Sequence, residues 1–160
     1  MKPPSLRCVV DTNVATTANG ANPGAPQSCV AASAKVLHEV MTNGHVFLDD
    51  GRRIIDEYLG NLNSRGQLGA GDVFLKWLLT HEWNSEKVTR VAITSTVLDD
   101  EDFNELPSPP AGTSYDRSDR KFLAVAAAHP DHPPILQSFD SKWVGWTTAL
   151  EAIGVTIHFL

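Results

Sequence analysis

The chain has 160 residues, 42% of them apolar and 20% charged. That size and balance fit one globular domain with a continuous core, and exclude global disorder, a collagen-like repeat and a coiled coil. Thirteen basic residues against nineteen acidic ones leave a net charge of −6, which disfavours a protein that coats nucleic acid through charge alone. Met1-Lys2-Pro3-Pro4-Ser5 lacks the apolar core of a secretion signal. No apolar run approaches the roughly 18 residues of a membrane span. The expected setting is therefore the reducing cytoplasm, away from membranes.

Leu6–Val10 is a short β-branched run ending at Asp11, read as a buried strand with Cys8 as a small apolar member. Cys8 and Cys29 are the only cysteines, too few for a disulfide scaffold. Thr16–Gln27, rich in Ala, Asn, Gly and Pro, reads as a surface loop. Val30, Ala34, Leu37 and Met41 predict a helix over 28–43, stopped at Asn43-Gly44. His45–Leu48 is a second strand, and Asp49 or Asp50 caps the helix after it. In that helix Ile54, Ile55, Tyr58, Leu59 and Leu62 share an apolar face. The next helix, about Asp72–Trp83, turns Val73, Phe74, Trp77 and Leu78 inward.

Val88–Ile93 is a third strand. Thr94–Ser114 is a long irregular connection holding Pro107, Pro109 and Pro110. Its acids Asp99, Asp100, Glu101, Asp102 and Glu105 read as a solvated loop. Residues 1–80 carry seven charges of each sign, so the acidic excess lies in the second half. A helix follows over about Ser118–Ala128, then a fourth strand, Ile135–Phe139, closed by Asp140. A helix over 142–153 places Trp143, Trp146, Leu150 and Ile153 on one side, and all four tryptophans read as core. Gly154 stops that helix, and Val155–Phe159 is the fifth strand. The alternation predicts a three-layer α/β sandwich around a mainly parallel sheet of about five strands, one domain over 1–160.

In such sheets the functional crevice lies beyond the carboxyl ends of the strands. Asp11 and Asp140 each close a strand. Two carboxylates brought together repel, and a divalent cation with hard oxygen ligands removes that cost. A single acid after a strand is better read as a cap. For two such acids at opposite ends of the chain, capping and a cation site are evenly balanced. Asp116 and Asp119 precede a helix start, where acids are also stabilised as caps, and Asp119 is the stronger site candidate of the two. Glu57 alone is an ordinary helix acid. The six histidines pair with no nucleophile, and no glycine-rich nucleotide motif is present.

Val9-Val10-Asp11-Thr12-Asn13-Val14 resembles the opening motif of PIN-domain nucleases. Ile54-Ile55-Asp56-Glu57-Tyr58-Leu59 resembles their second motif, and Asp116-Arg117-Ser118-Asp119-Arg120-Lys121 their third. Ser138-Phe139-Asp140-Ser141-Lys142-Trp143 resembles the fourth, with Ser for the commoner Thr. The resemblance implies a PIN-like fold and a metal-dependent endonuclease. In it Asp11, Glu57, Asp119 and Asp140 form an acidic centre for Mg²⁺ or Mn²⁺, with Asp116 as a further ligand or supporting acid. Thr12, Asn13 and Ser138 then match positions that orient the acids. Arg117, Arg120, Lys121 and Lys142 flank the centre as candidate phosphate holders, with solubilising surface charge as the equal alternative. The implied reaction leaves a 5′-phosphate and a 3′-hydroxyl, with RNA as the default substrate and DNA open. An antitoxin or other regulatory protein and a second copy of the chain are the implied partners. Two rivals remain. A non-catalytic module on the same fold would be expected to lack one of the acids. A phosphoacceptor receiver domain would carry adjacent acids at the first strand, where Val9 and Val10 stand instead.

Overall fold

The computed structural model describes residues 6–160. The Met1–Ser5 segment, read above for the absence of a signal, lies outside the described residues. Five strands, β1 (Arg7–Val10), β2 (His45–Asp49), β3 (Val88–Val91), β4 (Ile135–Gln137) and β5 (Ile157–Phe159), form one sheet in the order β3-β2-β1-β4-β5. Every pairing is parallel, so the sheet is wholly rather than mainly so. The central strands carry continuous apolar stretches, as strands covered on both faces do: Cys8, Val9, Val10, Val46, Phe47, Ile135 and Leu136 are buried. Burial pushes the Cys8 thiol up to about 12, leaving it a packed apolar group. Among the described residues no helix is long and apolar enough to cross a membrane.

Helices α1 (Thr12–Ala18), α2 (Gln27–Asn43), α3 (Arg53–Asn61) and α4 (Ala70–His81) connect the first three strands, and α5 (Arg120–Ala128) and α6 (Thr147–Glu151) serve the last two. The strand order advances one way from β1 to β3 and the other way from β4 to β5. With right-handed crossovers, that reversal puts the two helix groups on opposite faces and gives a three-layer sandwich. It also makes the carboxyl ends of the adjacent β1 and β4 the topological switch point.

Several elements differ from the sequence expectation. The expected loop from Thr16 begins as helix: α1 occupies Thr12–Ala18, and the loop is confined to residues 19–26. The helix forms because Asp11 caps it and Val14, Ala15 and Ala18 bury against α2 and α4, although its threonines are poor helix formers. A Cβ on Gly71 would stand 2.0 Å from the Ala15 carbonyl oxygen, so glycine lets α4 approach α1. Asn19, just past α1, accepts from the Gly71 and Asp72 amides at 2.7 and 3.2 Å and thereby caps α4 from outside. Leu59 and Val73 point outward, because the burying face of each short helix is narrower than the apolar stripe in its sequence. Trp83 is 70% exposed rather than core, with the Arg90 guanidinium 3.9 Å from its ring centre.

The fourth strand ends at Gln137, not Phe139. Phe139 has a positive φ of 41° and is half-exposed. Residues 141–146 form a 3₁₀ turn before α6, not one helix. The Asp140 carboxylate accepts from the Lys142 amide at 3.3 Å, and Gly145 weakens α-helix there. Trp143 and Trp146 are still buried, their rings 5.2 Å apart. The fifth strand begins at Ile157, two residues later than expected.

Candidate active site

The chain leaves β1 at Asp11, only 5% exposed. Its amide donates to the Leu136 carbonyl of β4 at 3.1 Å, and its carboxylate accepts from the Asn13 amide at 3.1 Å. Asn13 Oδ1 in turn accepts from the Ser138 amide at 3.1 Å, which ties the end of β1 to the end of β4. Ser138 is fully buried, and its hydroxyl meets that of Ser33 on α2 at 2.9 Å. The Tyr58 hydroxyl donates to the Val10 carbonyl, anchoring α3 to the strand one residue before Asp11. The switch point is therefore braced by polar contacts from the ends of two strands and from three helices. Sequence reading missed Ser33 and Tyr58 as supports. Ser33 carried a usable signal: it is a polar residue one turn before Leu37, on the face that α2 buries.

One open cleft at this end of the sheet is lined by Asp11, Thr12, Asn13, Glu57, Ser118, Asp119 and Asp140, with Thr16, Asn22 and Asn61 completing the wall. All four acids singled out by sequence face it, although 129 residues separate the first from the last. Glu57 reaches it from the middle of α3. The Thr12 hydroxyl donates to Glu57 Oε2, and Lys121 Nζ donates to Glu57 Oε1 at 2.7 Å. Thr16, Asn22 and Asn61 were not anticipated, since nothing in their local sequence separates them from ordinary surface residues.

Asp119 ends a 3₁₀ turn, Arg117–Asp119, that leads into α5, and it is buried. Asp140 stands two residues beyond Ser138 and is partly exposed. Asp116 is exposed at the rim and does not line the cleft wall. Lys142 links these three acids: its ammonium lies 2.5 Å from Asp116, 3.0 Å from Asp119 and 3.6 Å from Asp140. Asp119 Oδ2 is buried, and the Lys142 ammonium is the charge that stands beside it.

The electrostatics follow from this crowding. Burial pushes the Asp11 carboxyl up to about 8; the charges of Asp119, Glu57 and Asp140 push the same way, and the Asn13 amide opposes them. Burial also raises Asp119, with Lys142 opposing and Asp116 and Asp140 adding. Burial disfavours the Lys142 charge, but its carboxylate partners outweigh that and hold the ammonium well above the usual lysine value.

Arg117 and Arg120 are engaged elsewhere. Arg117 meets Asp99 at 2.8 Å, Glu101 at 3.3 Å and Asp100 at 3.9 Å; Arg120 meets Asp99 at 3.6 Å and donates to the Tyr115 carbonyl at 3.1 Å. The acidic connection is accordingly not the freely solvated loop expected. It is clasped by these two arginines and anchored by the buried Phe103, Leu106 and Tyr115. Of the four candidate phosphate holders, only Lys121 and Lys142 point their charge at the acids lining the cleft.

Comparison with family models, with curated proteins and with solved structures yields no match for this chain.

The donor set suits a divalent cation of the Mg²⁺ or Mn²⁺ type, because every candidate ligand is a hard carboxylate oxygen. The buried Oδ2 of Asp119 and the crowded carboxyl of Asp11 are what such an ion would bind. Among the described residues, no three His, Cys, Asp or Glu side chains stand close enough to share an ion as they are. The Lys142 ammonium stands among three of them.

Proposed function

We propose that this protein is a metal-dependent endonuclease that hydrolyses phosphodiester bonds in RNA. One observation carries the reading: a carboxyl buried at the sheet's switch point, Asp11, faces a cleft shared with Glu57, Asp119 and Asp140. Buried carboxylates without backbone donors to match them are expensive, and a cation-dependent reaction is the chemistry that gives them a use. The resemblance of the same four segments to PIN-domain nucleases supports the same conclusion from the sequence side.

In this reading Asp11, Glu57, Asp119 and Asp140 hold one or two Mg²⁺ or Mn²⁺ ions, and Asp116 supports them from the rim. The chemistry such an ion would supply there is activation of a water molecule and compensation of negative charge on the departing oxygen. Thr12 and Lys121 orient Glu57, and Asn13 holds Asp11 against Ser138. A carboxylate of the cluster accepts the proton of the attacking water. Lys121 and Lys142 lie beside the acids and meet the phosphates of the bound strand. The net negative charge makes binding depend on a few such contacts, hence weak and salt-sensitive.

The test is incubation with labelled RNA and DNA panels in Mn²⁺, Mg²⁺ or EDTA. RNA cleavage in Mn²⁺, abolished by EDTA and by Asp11→Asn or Asp140→Asn in folded protein, is the expected result. Full activity in both variants, or no cleavage of any panel member under metal, overturns the proposal.

A further inference from the structure

The cleft carries its own cations. Lys142 Nζ contacts carboxylates from two separate segments: Asp116 and Asp119 before α5, and Asp140 after β4, at 2.5, 3.0 and 3.6 Å. The Lys142 amide also donates to Asp140 Oδ1, so the lysine stem starts beside one of the acids it serves. Lys121 plays a lesser part, meeting Glu57 alone among the carboxylates. The Lys142 side chain is 41% exposed, which leaves it an open path to solvent.

An ammonium and a divalent ion make competing claims on this ground. A Mg²⁺ ion draws carboxylate oxygens to about 2.0–2.1 Å, whereas an ammonium holds them at about 2.7–2.9 Å. An ion that takes Oδ2 of Asp119 and of Asp140 takes the same oxygens that face the Lys142 ammonium. Asp119 Oδ2 is the oxygen for which this matters most, since it is buried and the Lys142 ammonium stands 3.0 Å from it.

We infer that Lys142 is the built-in counter-ion of the cleft and that a divalent ion binds by exchange, displacing the Lys142 ammonium from Asp119 and Asp140. The inference rests on the metal-dependent reading above. Before the ion arrives, Lys142 keeps three like charges from spreading the cleft. Its presence lowers the apparent affinity for the ion, as any competitor at a site does. After exchange the ammonium remains tethered at the rim, where it is free to meet an anionic substrate.

The test is titration calorimetry of Mn²⁺ into metal-free wild type, Lys142→Met, Lys142→Arg and Lys121→Met, with no nucleic acid present. Lys142→Met should bind Mn²⁺ about tenfold tighter, equivalent to about 1.4 kcal/mol of lost competition. Its metal-free form should melt below wild type and recover more on adding Mn²⁺. Lys142→Arg keeps the charge and should stay near wild type, and Lys121→Met should shift affinity less. A folded Lys142→Met that binds Mn²⁺ no tighter than wild type overturns the exchange. So does the absence of Mn²⁺ binding, at millimolar concentration, in wild type and Lys142→Met alike. Wild type alone supplies a second measurement: the NMR signal of the Lys142 ε-methylene should move on Mg²⁺ addition, and a signal that stays fixed while Mg²⁺ binds is equally fatal. Because no substrate is involved, metal exchange without phosphodiester cleavage would sink the nuclease reading and leave the exchange standing.

Discussion

Asp11 and Asp49 occupy matching positions on neighbouring parallel strands and meet opposite fates. Asp11 directly follows β1, and Asp49 is the last residue of β2; both are buried. Asp49 accepts from the amides of Arg53 and Ile54, each at 2.9 Å, and so caps α3 with both oxygens. Asp11 accepts from one amide and otherwise faces the carboxylates of Glu57, Asp119 and Asp140. The first arrangement satisfies a charge with backbone donors. The second leaves it crowded by like charges, which the proposed cation would offset. The environment of a strand-end acid is thus set by what stands opposite it, not by its own local sequence.

The strongest way to break the comparison is through activity. Asp11→Asn should lower Mn²⁺-dependent cleavage by at least about 100-fold, whereas Asp49→Ala should leave turnover per folded molecule unchanged. Equal losses in both would erase the distinction. Next in size is stability. Asp49→Ala removes two capping bonds and should cost about 1–2 kcal/mol, a fall in Tm of roughly 2–8 °C by calorimetry.

Acid–base behaviour sharpens the contrast. The folded Asp11 carboxyl titrates near 8, against an ordinary value of 3.8. A group raised in this way contributes stability that is complete below about pH 4 and is lost as pH rises through about 8. The Tm of metal-free wild type should therefore decline across that window, and Asp11→Asn should flatten the decline. Asp72 gives the opposite sign. Burial alone would raise its carboxyl, but donors from Asn63, Gly69 and Asn19 outweigh it and hold it below the usual value. Its contribution is present above about pH 4 and is lost as pH falls further, a loss that Asp72→Asn should blunt at the acid end. The smallest expected effect belongs to the clasp. Arg117→Ala should change stability by less than about 1 kcal/mol, since its ion pairs are largely exposed. It should nevertheless speed proteolysis within residues 94–114.

Much of the architecture was legible because strands such as Cys8-Val9-Val10 and Ile135-Leu136 are continuous apolar runs, the pattern of a sheet covered on both sides. Helix α1 was hidden, because its stability comes from Val14, Ala15 and Ala18 packing on partners distant in sequence. Leu59, Val73 and Trp83 misled for the converse reason: apolar character says that a side chain can be buried, not that a partner is there to bury it. Asp11, Asp119 and Asp140 stand out through their placement after strands or before a helix, whereas Glu57, inside a helix, is singled out only by the resemblance of its segment. The three polar residues that complete the cleft wall, Thr16, Asn22 and Asn61, sit in unexceptional surroundings and left no such mark.

Local sequence by itself determined the five strands in order, most of the helices between them, and that acids emerge at strand ends, because periodicity and capping act over a few neighbouring residues. It could not determine which of those acids meet. That depended on strand order, which sets β4 beside β1 and carries Asp140 and Asp119 to the side of Asp11 rather than Asp49. Tertiary structure alone decided the allegiance of the cations, giving Arg117 to the acidic connection and Lys142 to the cleft. Charge pairing is fixed by distances of a few ångströms between segments remote in the chain, and no local pattern encodes them.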